Sequence, residues 1–393
     1  MALAQGSATA SSAAVGFTIK QALDAAWQRS VAAAESQGRY GRARAEQLLA
    51  QSWLSAPASV SLSQREGRSG SPSGRRETEL GVALPLWNFG ARAAGGQATE
   101  AESRWARAAE QAALLRLAGQ LREAAGAAKL ADAELKQVER HVANLQQLAA
   151  DVERRVKAGD LAPADALAAK AELLSAQSQL RSASQSSSAQ HAAWRLLTGL
   201  EQLPGAEDVL QAPPEVPEVH PELSLAQSAV DLWQRRVEFA QAQRTEGPEL
   251  SIGVRQERPG QGVGAQNSVV VGLRMPFGGE AHRQPRIAAA LADLETARRQ
   301  ALRTRDQLAT ELSLAAAHQQ ASDMQAKLER ERASLLAERA RLIAKSFEAG
   351  ETPLPDLLRA VGASADAEAA SARQQAGLQL AAARLQQALG LIP

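Results

Sequence analysis

Side chains able to do chemistry are thinly spread through this 393-residue chain. Its five histidines, His141, His191, His220, His282 and His318, include no His-x-x-x-His pair and no acid cluster at ligand spacing. They read as solvated helix residues, and no metal site is expected. Met324 has no companion stripe that could relay copper(I). With no cysteine there is no thiolate site, disulfide or cysteine nucleophile. The serine run 186–188 lacks Gly-x-Ser-x-Gly context and a positioned histidine. Gly95-Gly96 and Gly278-Gly279 lack a phosphate-binding lysine and a preceding buried strand. The expectation is a protein that is not an enzyme and carries no cofactor. What remains are two turns rich in glycine and acids, 157–165 and 348–356, and the aromatics Trp87, Phe89 and Phe277.

The elements that must position these residues follow from composition. Aromatics are only 3% of the chain, while Ala, Leu, Gln, Arg and Glu dominate, the mixture of long helices in coiled-coil contact. Net charge is +1 with basic and acidic residues interspersed, which argues against nucleic-acid binding. No run of 18 apolar residues offers a transmembrane helix. The opening MALAQGSATASSA has neither a basic n-region nor an apolar h-region, so no signal peptide is expected; Ala2-Leu3-Ala4 before Gln5 has the form of a cleavage-site remnant.

The chain repeats itself. Gly199 and Gly390 close similar segments and stand 390 − 199 = 191 residues apart. The same offset carries Gly159 to Gly350, Asp165 to Asp356, Pro57 to Pro248, and Leu84-Pro85-Leu86 to Met275-Pro276-Phe277. One constant offset joining turn, strand and helix landmarks marks a tandem duplication. The expected organisation is a flexible segment 1–16, a first repeat 17–199, a linker 200–219 with four prolines, and a second repeat 220–391. Each repeat opens with a helix, the first from Thr18 to about Ala56 and ended by Pro57. A β-hairpin follows, about 58–86 and 248–277, and then a long helical hairpin, about 90–199 and 280–390. The helix from about Ala91 to Val156 would be roughly 100 Å long at ~1.5 Å per residue. Val138, Val142, Leu145, Ala149, Val152 and Val156 trace a narrow coiled-coil seam along it.

The strands alternate with period two. Leu250, Ile252 and Val254, with Val269, Val271, Leu273 and Met275, form an apolar face; Ser251, Gly253, Arg255, Gly272 and Arg274 form the other. No further sheet exists to cover the apolar face. Four strands cannot close a barrel, but four from each of three copies give twelve, apolar outside and polar within. The expected fold is mainly α with a membrane β-barrel portion. A homotrimer forms a 12-stranded β-barrel, lipid outside it, continued by an α-helical barrel. Trp87, Phe89 and Phe277 lie at strand ends, where they serve as an interfacial belt or as a packing corner at the strand-to-helix bend.

With these features the sequence resembles the TolC family of outer-membrane efflux ducts. The family's duplicated unit carries an arginine and an aromatic, then glycine, an Asp-containing turn and a terminal Leu-Leu-Gly. Here the first copy has Arg155, Gly159, Asp165 and Leu196-Leu197-Thr198-Gly199, and the second has Phe347, Gly350, Asp356 and Ala388-Leu389-Gly390. Val156 stands for the aromatic in the first copy and Ser346 for the arginine in the second. The Leu84-Pro85-Leu86-Trp87 joint and the compact length look most like the heavy-metal (CusC/CzcC-type) cation branch, many of whose members carry an N-terminal lipidated cysteine that this chain lacks.

The resemblance implies a passive channel of a tripartite RND-type system in a Gram-negative outer membrane, extending into the periplasm. It would export heavy-metal cations or, alternatively, organic compounds or type I secretion substrates. Its partners would be a periplasmic adaptor and an inner-membrane pump. The resemblance also implies that Asp356, with Arg359 beside it and Asp165 in the other copy, lies at the periplasmic entrance. Gly159, Asp160, Gly350 and Glu351 would meet the adaptor. On residue chemistry alone, Asp160 and Asp165 serve equally well as N-terminal helix charges. A periplasmic adaptor also has a long helical hairpin, but would not be duplicated at this offset.

Overall fold

The computed structural model describes residues 17–67, 75–205, 217–243, 247–259 and 264–393. Segment 1–16, expected to be flexible, and linker residues 206–216 fall outside the described residues. The chain forms α1 (Ile19–Arg29), α2 (Val31–Gln51), β1 (Ser59–Glu66), β2 (Arg76–Pro85), α3 (Ala91–Ala158), α4 (Pro163–Thr198), α5 (Pro221–Ala242), β3 (Glu249–Arg258), β4 (Gln266–Arg274), α6 (Glu280–Glu348) and α7 (Leu354–Ala388).

The opening helix departs from expectation. Thr18 caps α1 reciprocally with Gln21, but Ser30 then takes extended backbone. Its hydroxyl donates to the Trp27 carbonyl at 2.8 Å and accepts from the Ala33 amide at 3.1 Å. One serine thus ends α1 and caps α2, a competition with the helical backbone that a short polar side chain can win. Nor does Pro57 end the helix. It stops at Gln51, and Leu54 already bridges to Leu86.

Contacts divide the chain into two compact units, and each draws on both halves of the sequence. The first comprises 1–33, 113–220 and 307–393. Within it α3 packs on both α4 and α7, which also touch each other. Val142 and Leu145 of α3 pack on Ala176 of α4, while Glu123 of α3 takes both arms of Arg384 of α7 at 2.6 and 2.8 Å. Leu312 of α6 packs on Leu385, Ala388 and Leu389 at the end of α7. At one end α1 seats Ala22, Leu23 and Ala26 against Leu117, Leu121 and the fully buried Trp194, whose indole donates to the Gln202 carbonyl at 3.0 Å.

α6 carries two seams of seven-residue spacing. Ala326 and Ala333 are buried on one, continued by Phe347. The other, Leu314, Leu328, Leu335 and Leu342, is exposed along its length. On α4 the buried Ala169, Ala176 and Ala183 likewise have exposed counterparts in Leu167 and Leu174.

The second unit comprises 34–112 and 221–306 and holds the sheet. Its four strands are antiparallel in the order β1-β2-β3-β4, so the two hairpins meet through β2 and β3. Away from the strands, Tyr40 of α2 donates to Glu110 of α3 at 2.7 Å. Burial, then this carboxylate, push its phenol up to about 12, so it stays a donor.

Glu102 of α3 is buried and paired with Arg236 of α5. Arg236→Met leaves that carboxylate without its guanidinium. The variant is expected to lose about 2–3 kcal/mol, below the full ~3–5 kcal/mol of a fully buried pair because Arg236 is partly solvated. An unchanged urea midpoint in detergent would count against this.

Candidate functional site

Two sites emerge, one in each unit. The first is the pair of helical turns. α3 ends at Gly159, whose φ is 89°, and α6 at Gly350, whose φ is 79°, both in the left-handed region that favours glycine. The amide of Asp160 reaches the Arg155 carbonyl at 2.9 Å and that of Glu351 reaches Ser346 at 3.0 Å. Gly159 and Gly350 close the inner bonds to Val156 and Phe347 at 3.1 and 3.0 Å. Both turns are therefore Schellman caps. Behind them Val152, Ala169, Phe347, Leu354 and Leu357 form one core drawn from α3, α4, α6 and α7. Gly159, Asp160, Gly350 and Glu351 are exposed at the turns.

Sequence-equivalent aspartates are held differently. Asp165 accepts from the Ala162 amide at 3.2 Å and so closes the start of α4. The offset puts Pro353 where Ala162 stands, and proline has no amide hydrogen to give Asp356. Asp356 instead takes the guanidinium of Arg359 at 2.7 Å on an exposed face. Asp165→Ala is expected to cost about 1 kcal/mol of helix-capping stability, with faster hydrogen exchange at Ala162. Asp356→Ala carries no such loss. Equal effects from the two variants would contradict the distinction.

The arginine and the aromatic that neither copy has together meet across the copies. Arg155 of α3 lies over the Phe347 ring, 5.0 Å from its centroid. It also pairs with Asp151 at 3.0 Å and donates to the Phe347 carbonyl at 3.4 Å, near the end of α6. The signal was present in sequence, since each copy retains the partner that the other lacks. Beside this clasp a groove of about 530 Å³ runs between α3, α6 and α7, with Phe347 and Leu357 on its apolar wall and Arg140, His141, Arg341 and Glu368 on its polar one.

The second site is the sheet. Register aligns Val60, Val82, Ile252 and Val271 in one row and Leu62, Leu80, Val254 and Val269 in the next. Leu84, Leu250 and Leu273 make a third. Every one of these side chains is exposed except Leu84 and Leu250, which are half-buried. Beyond the apolar rows lies a polar one, Gln64, Thr78, Gln256 and Asn267. The opposite face runs Ser59, Ala83, Ser251, Gly272 and Ser61, Gly81, Gly253, Val270. A Cβ on Gly253 would stand 2.8 Å from the Leu80 carbonyl, so the strands need glycine there. Farther along that face Arg255 is held by Glu77 and Glu79, each at 2.9 Å.

The aromatics divide. Phe89 and Phe277 are 104% and 96% exposed, whereas Trp87 is half-buried and its indole donates to the Ser52 carbonyl at 3.0 Å. Trp53, which the sequence reading did not single out, is 83% exposed and stacked by Arg92 at 5.4 Å.

Two of the histidines are more engaged than solvated helix residues, while His282 and His318 are exposed on α6 as expected. His220 is buried just before α5, and His191 Nε2 lies 2.9 and 3.0 Å from the Asp132 oxygens, one of which accepts from Ser187 at 2.7 Å. Among the described residues no group of three or more His, Cys, Asp or Glu could hold a metal ion, and no helix is long and apolar enough to cross a membrane.

No protein-family model matches the chain, and no curated protein matches it. Solved structures share its fold. The outer membrane protein VceC of Vibrio cholerae superposes with a TM-score of 0.73 at 17% identity, over 95% of this chain and 96% of that one. The CmeC outer membrane channel of Campylobacter jejuni gives 0.75 at 13%, over 95% and 85%. CusC, solved in a study of folding and transmembrane channel formation, gives 0.74 at 17%, over 96% and 92%. CmeC and CusC are described as channels. The fold is that of TolC-like outer membrane channels, and the score of CusC falls between those of the other two.

Proposed function

We propose that this chain is the outer-membrane duct of a tripartite efflux system, conducting passively and gated at its helical turns. The observation that carries the proposal is the sheet, whose apolar side chains stand uncovered in register while the other face is small and charged. In water such a face would be a large aggregation liability. Facing lipid it is the outer wall of a barrel. The strands are 8, 10, 10 and 9 residues long, near the ~9–11 that a tilted strand needs to span a bilayer.

Three copies would close the barrel into twelve strands. The open leucine seam of α6 offers the helical part of such an assembly a partner surface, with Leu167 and Leu174 of α4 in a neighbouring copy as its complement. The tandem repeats 17–199 and 220–391 would then contribute two equivalent hairpins per copy. Asp356, Arg359 and Asp165 would line the periplasmic entrance. Gly159, Asp160, Gly350 and Glu351 would meet a periplasmic adaptor, with the adjoining groove receiving its helices, and an inner-membrane pump would complete the system. Heavy-metal cations are the proposed cargo on the strength of the joint at Leu84–Trp87.

Reconstitution tests the duct. The protein should be trimeric only with detergent or lipid and should give discrete conductance in planar bilayers. A monodisperse, detergent-free soluble protein would sink the barrel. Deletion in the source bacterium should sensitise it to metal salts; sensitisation to organic toxicants alone would reassign the cargo.

A further inference from the structure

We infer that Trp53 and Arg92 form a binding site for the phosphate of a membrane lipid headgroup, at the end of the sheet where the strands give way to helix. The inference rests on the lipid-facing reading of the sheet and adds a specific ligand contact to it. Three hydrogen bonds fix the place of the segment that carries Trp53, and a fourth ties Leu86 to the second hairpin. The Ser55 amide donates to Pro85 at 3.1 Å and its hydroxyl to Leu86 at 3.0 Å. Trp87 donates to Ser52 at 3.0 Å, and Leu86 to Pro248 at 2.7 Å. Leu54 bridges Leu86, one residue past the end of β2. Trp53 therefore stands at the level where the apolar rows end, and the two exposed phenylalanines follow the strands of that same end, Phe89 after β2 and Phe277 after β4.

Along β2 the face changes from polar at Thr78 through apolar Leu80, Val82 and Leu84 to Leu86. The apolar run from Leu80 to Leu86 is about 20 Å along the strand at ~3.4 Å per residue, and less in height once tilted, so it fits within a barrel's apolar band of ~25 Å. Thus the aromatic end falls at the interface between hydrocarbon and headgroups, where an exposed indole is stable.

Arg92 supplies the charge complement. Most arginines of this unit are spent on carboxylates: Arg104 on Asp231, Arg236 on Glu102, Arg255 on Glu77 and Glu79, and Arg283 on Glu280. No described carboxylate pairs with Arg92. One of its nitrogens donates to the Gln51 carbonyl at 2.8 Å and its plane rests over the Trp53 ring, which leaves the remaining donors exposed. Its place in the first turn of α3 does not account for it, because a cation there opposes the helix dipole. A guanidinium held flat by an aromatic and a carbonyl, with free donors at the membrane edge, is suited to two-point contact with phosphate oxygens. Trp53 orients the guanidinium while its own ring lies among the glycerol and upper acyl groups.

The test uses the full chain reconstituted in phosphatidylglycerol-containing vesicles. Flotation after a high-salt wash reports insertion by itself; failure of the wild type to float would defeat the duct reading, whereas the measurements below bear on the lipid site alone. In inserted protein, a lipid spin-labelled on its headgroup should quench wild-type tryptophan emission more than that of Trp53→Phe. A lipid labelled at its chain terminus should quench the two alike. In native mass spectrometry, Arg92→Gln should retain about fivefold less phosphatidylglycerol than wild type, the effect of one basic group near an anionic surface. Arg92→Lys should fall between them, and retention of a phosphate-free glycolipid should not change. Equal phosphatidylglycerol retention by Arg92→Gln, equal headgroup quenching in Trp53→Phe, or displacement of the lipid by tens of millimolar inorganic phosphate would each overturn the inference.

Discussion

Leu335→Glu, and equally Leu328→Glu, is expected to turn the proposed trimer into monomers in mild detergent. Both leucines stand in the uncovered seam of α6, at seven-residue spacing with Leu342 and two spacings from Leu314. The same helix buries Ala326 and Ala333 on another stripe. A helix with two such stripes joins two neighbours, and within the chain only one of them is covered. Docking the open stripe on α4 of another copy is a head-to-tail contact, which closes into a ring when the rotation fits. Each buried leucine contributes about 2 kcal/mol, and the glutamate adds the cost of desolvating a charge. Repeated at three interfaces, one substitution removes at least about 6 kcal/mol of assembly energy, more than four powers of ten in the association constant. Lys327→Gln, on an exposed face of the same helix, should leave the trimer intact. Light scattering coupled to gel filtration decides the matter. Trimers that survive both glutamates would place the subunit contact elsewhere.

Arg155→Ala is the second large effect, expected to raise the open probability of the proposed duct about a hundredfold. Arg155 belongs to the first repeat and Phe347 to the second, so their stack and the hydrogen bond to the Phe347 carbonyl tie together hairpins that no backbone bond joins at that end. A cation–aromatic stack contributes about 1 kcal/mol when partly shielded, and a trimer has three. Losing about 3 kcal/mol from the closed state shifts its equilibrium by some two powers of ten. Asp151 remains on α3 in the variant and tethers nothing across the turn. Arg155→Lys keeps the charge but not the planar fork and should give an intermediate conductance. Phe347→Leu keeps an apolar side chain in the turn core and should also fall between. A conductance for Arg155→Ala equal to wild type, in protein of unchanged thermal stability, would remove the clasp from the gate.

How much of this was legible depends on how local its cause is. Alternation in Leu80, Val82, Leu84 and in Leu250, Ile252, Val254 is a property of the backbone pleat, and the strands appear where alternation placed them. The long helices likewise follow from Ala-rich periodicity, and glycine at 159 and 350 marked both turns because only a left-handed residue closes a Schellman cap there. Ser30 was passed over because serine is tolerated inside helices; its hydroxyl breaks this one by serving Trp27 and Ala33 at once. Trp87 and Trp53 could not be ranked by type. One indole finds the Ser52 carbonyl and is half-buried, and the other finds none and stays outside.

Residue types and spacing were enough to place the helices, the hairpins, the two-faced strands and the paired turns, since each arises within a few residues of the chain. Folding in three dimensions decided the rest. It brought Arg155 to Phe347, set β2 against β3 in the register that makes the apolar rows continuous, and left one stripe of α6 bare while filling the other. Those outcomes depend on which surfaces meet across more than a hundred residues of chain, and pairwise packing of that range is not written in any local pattern.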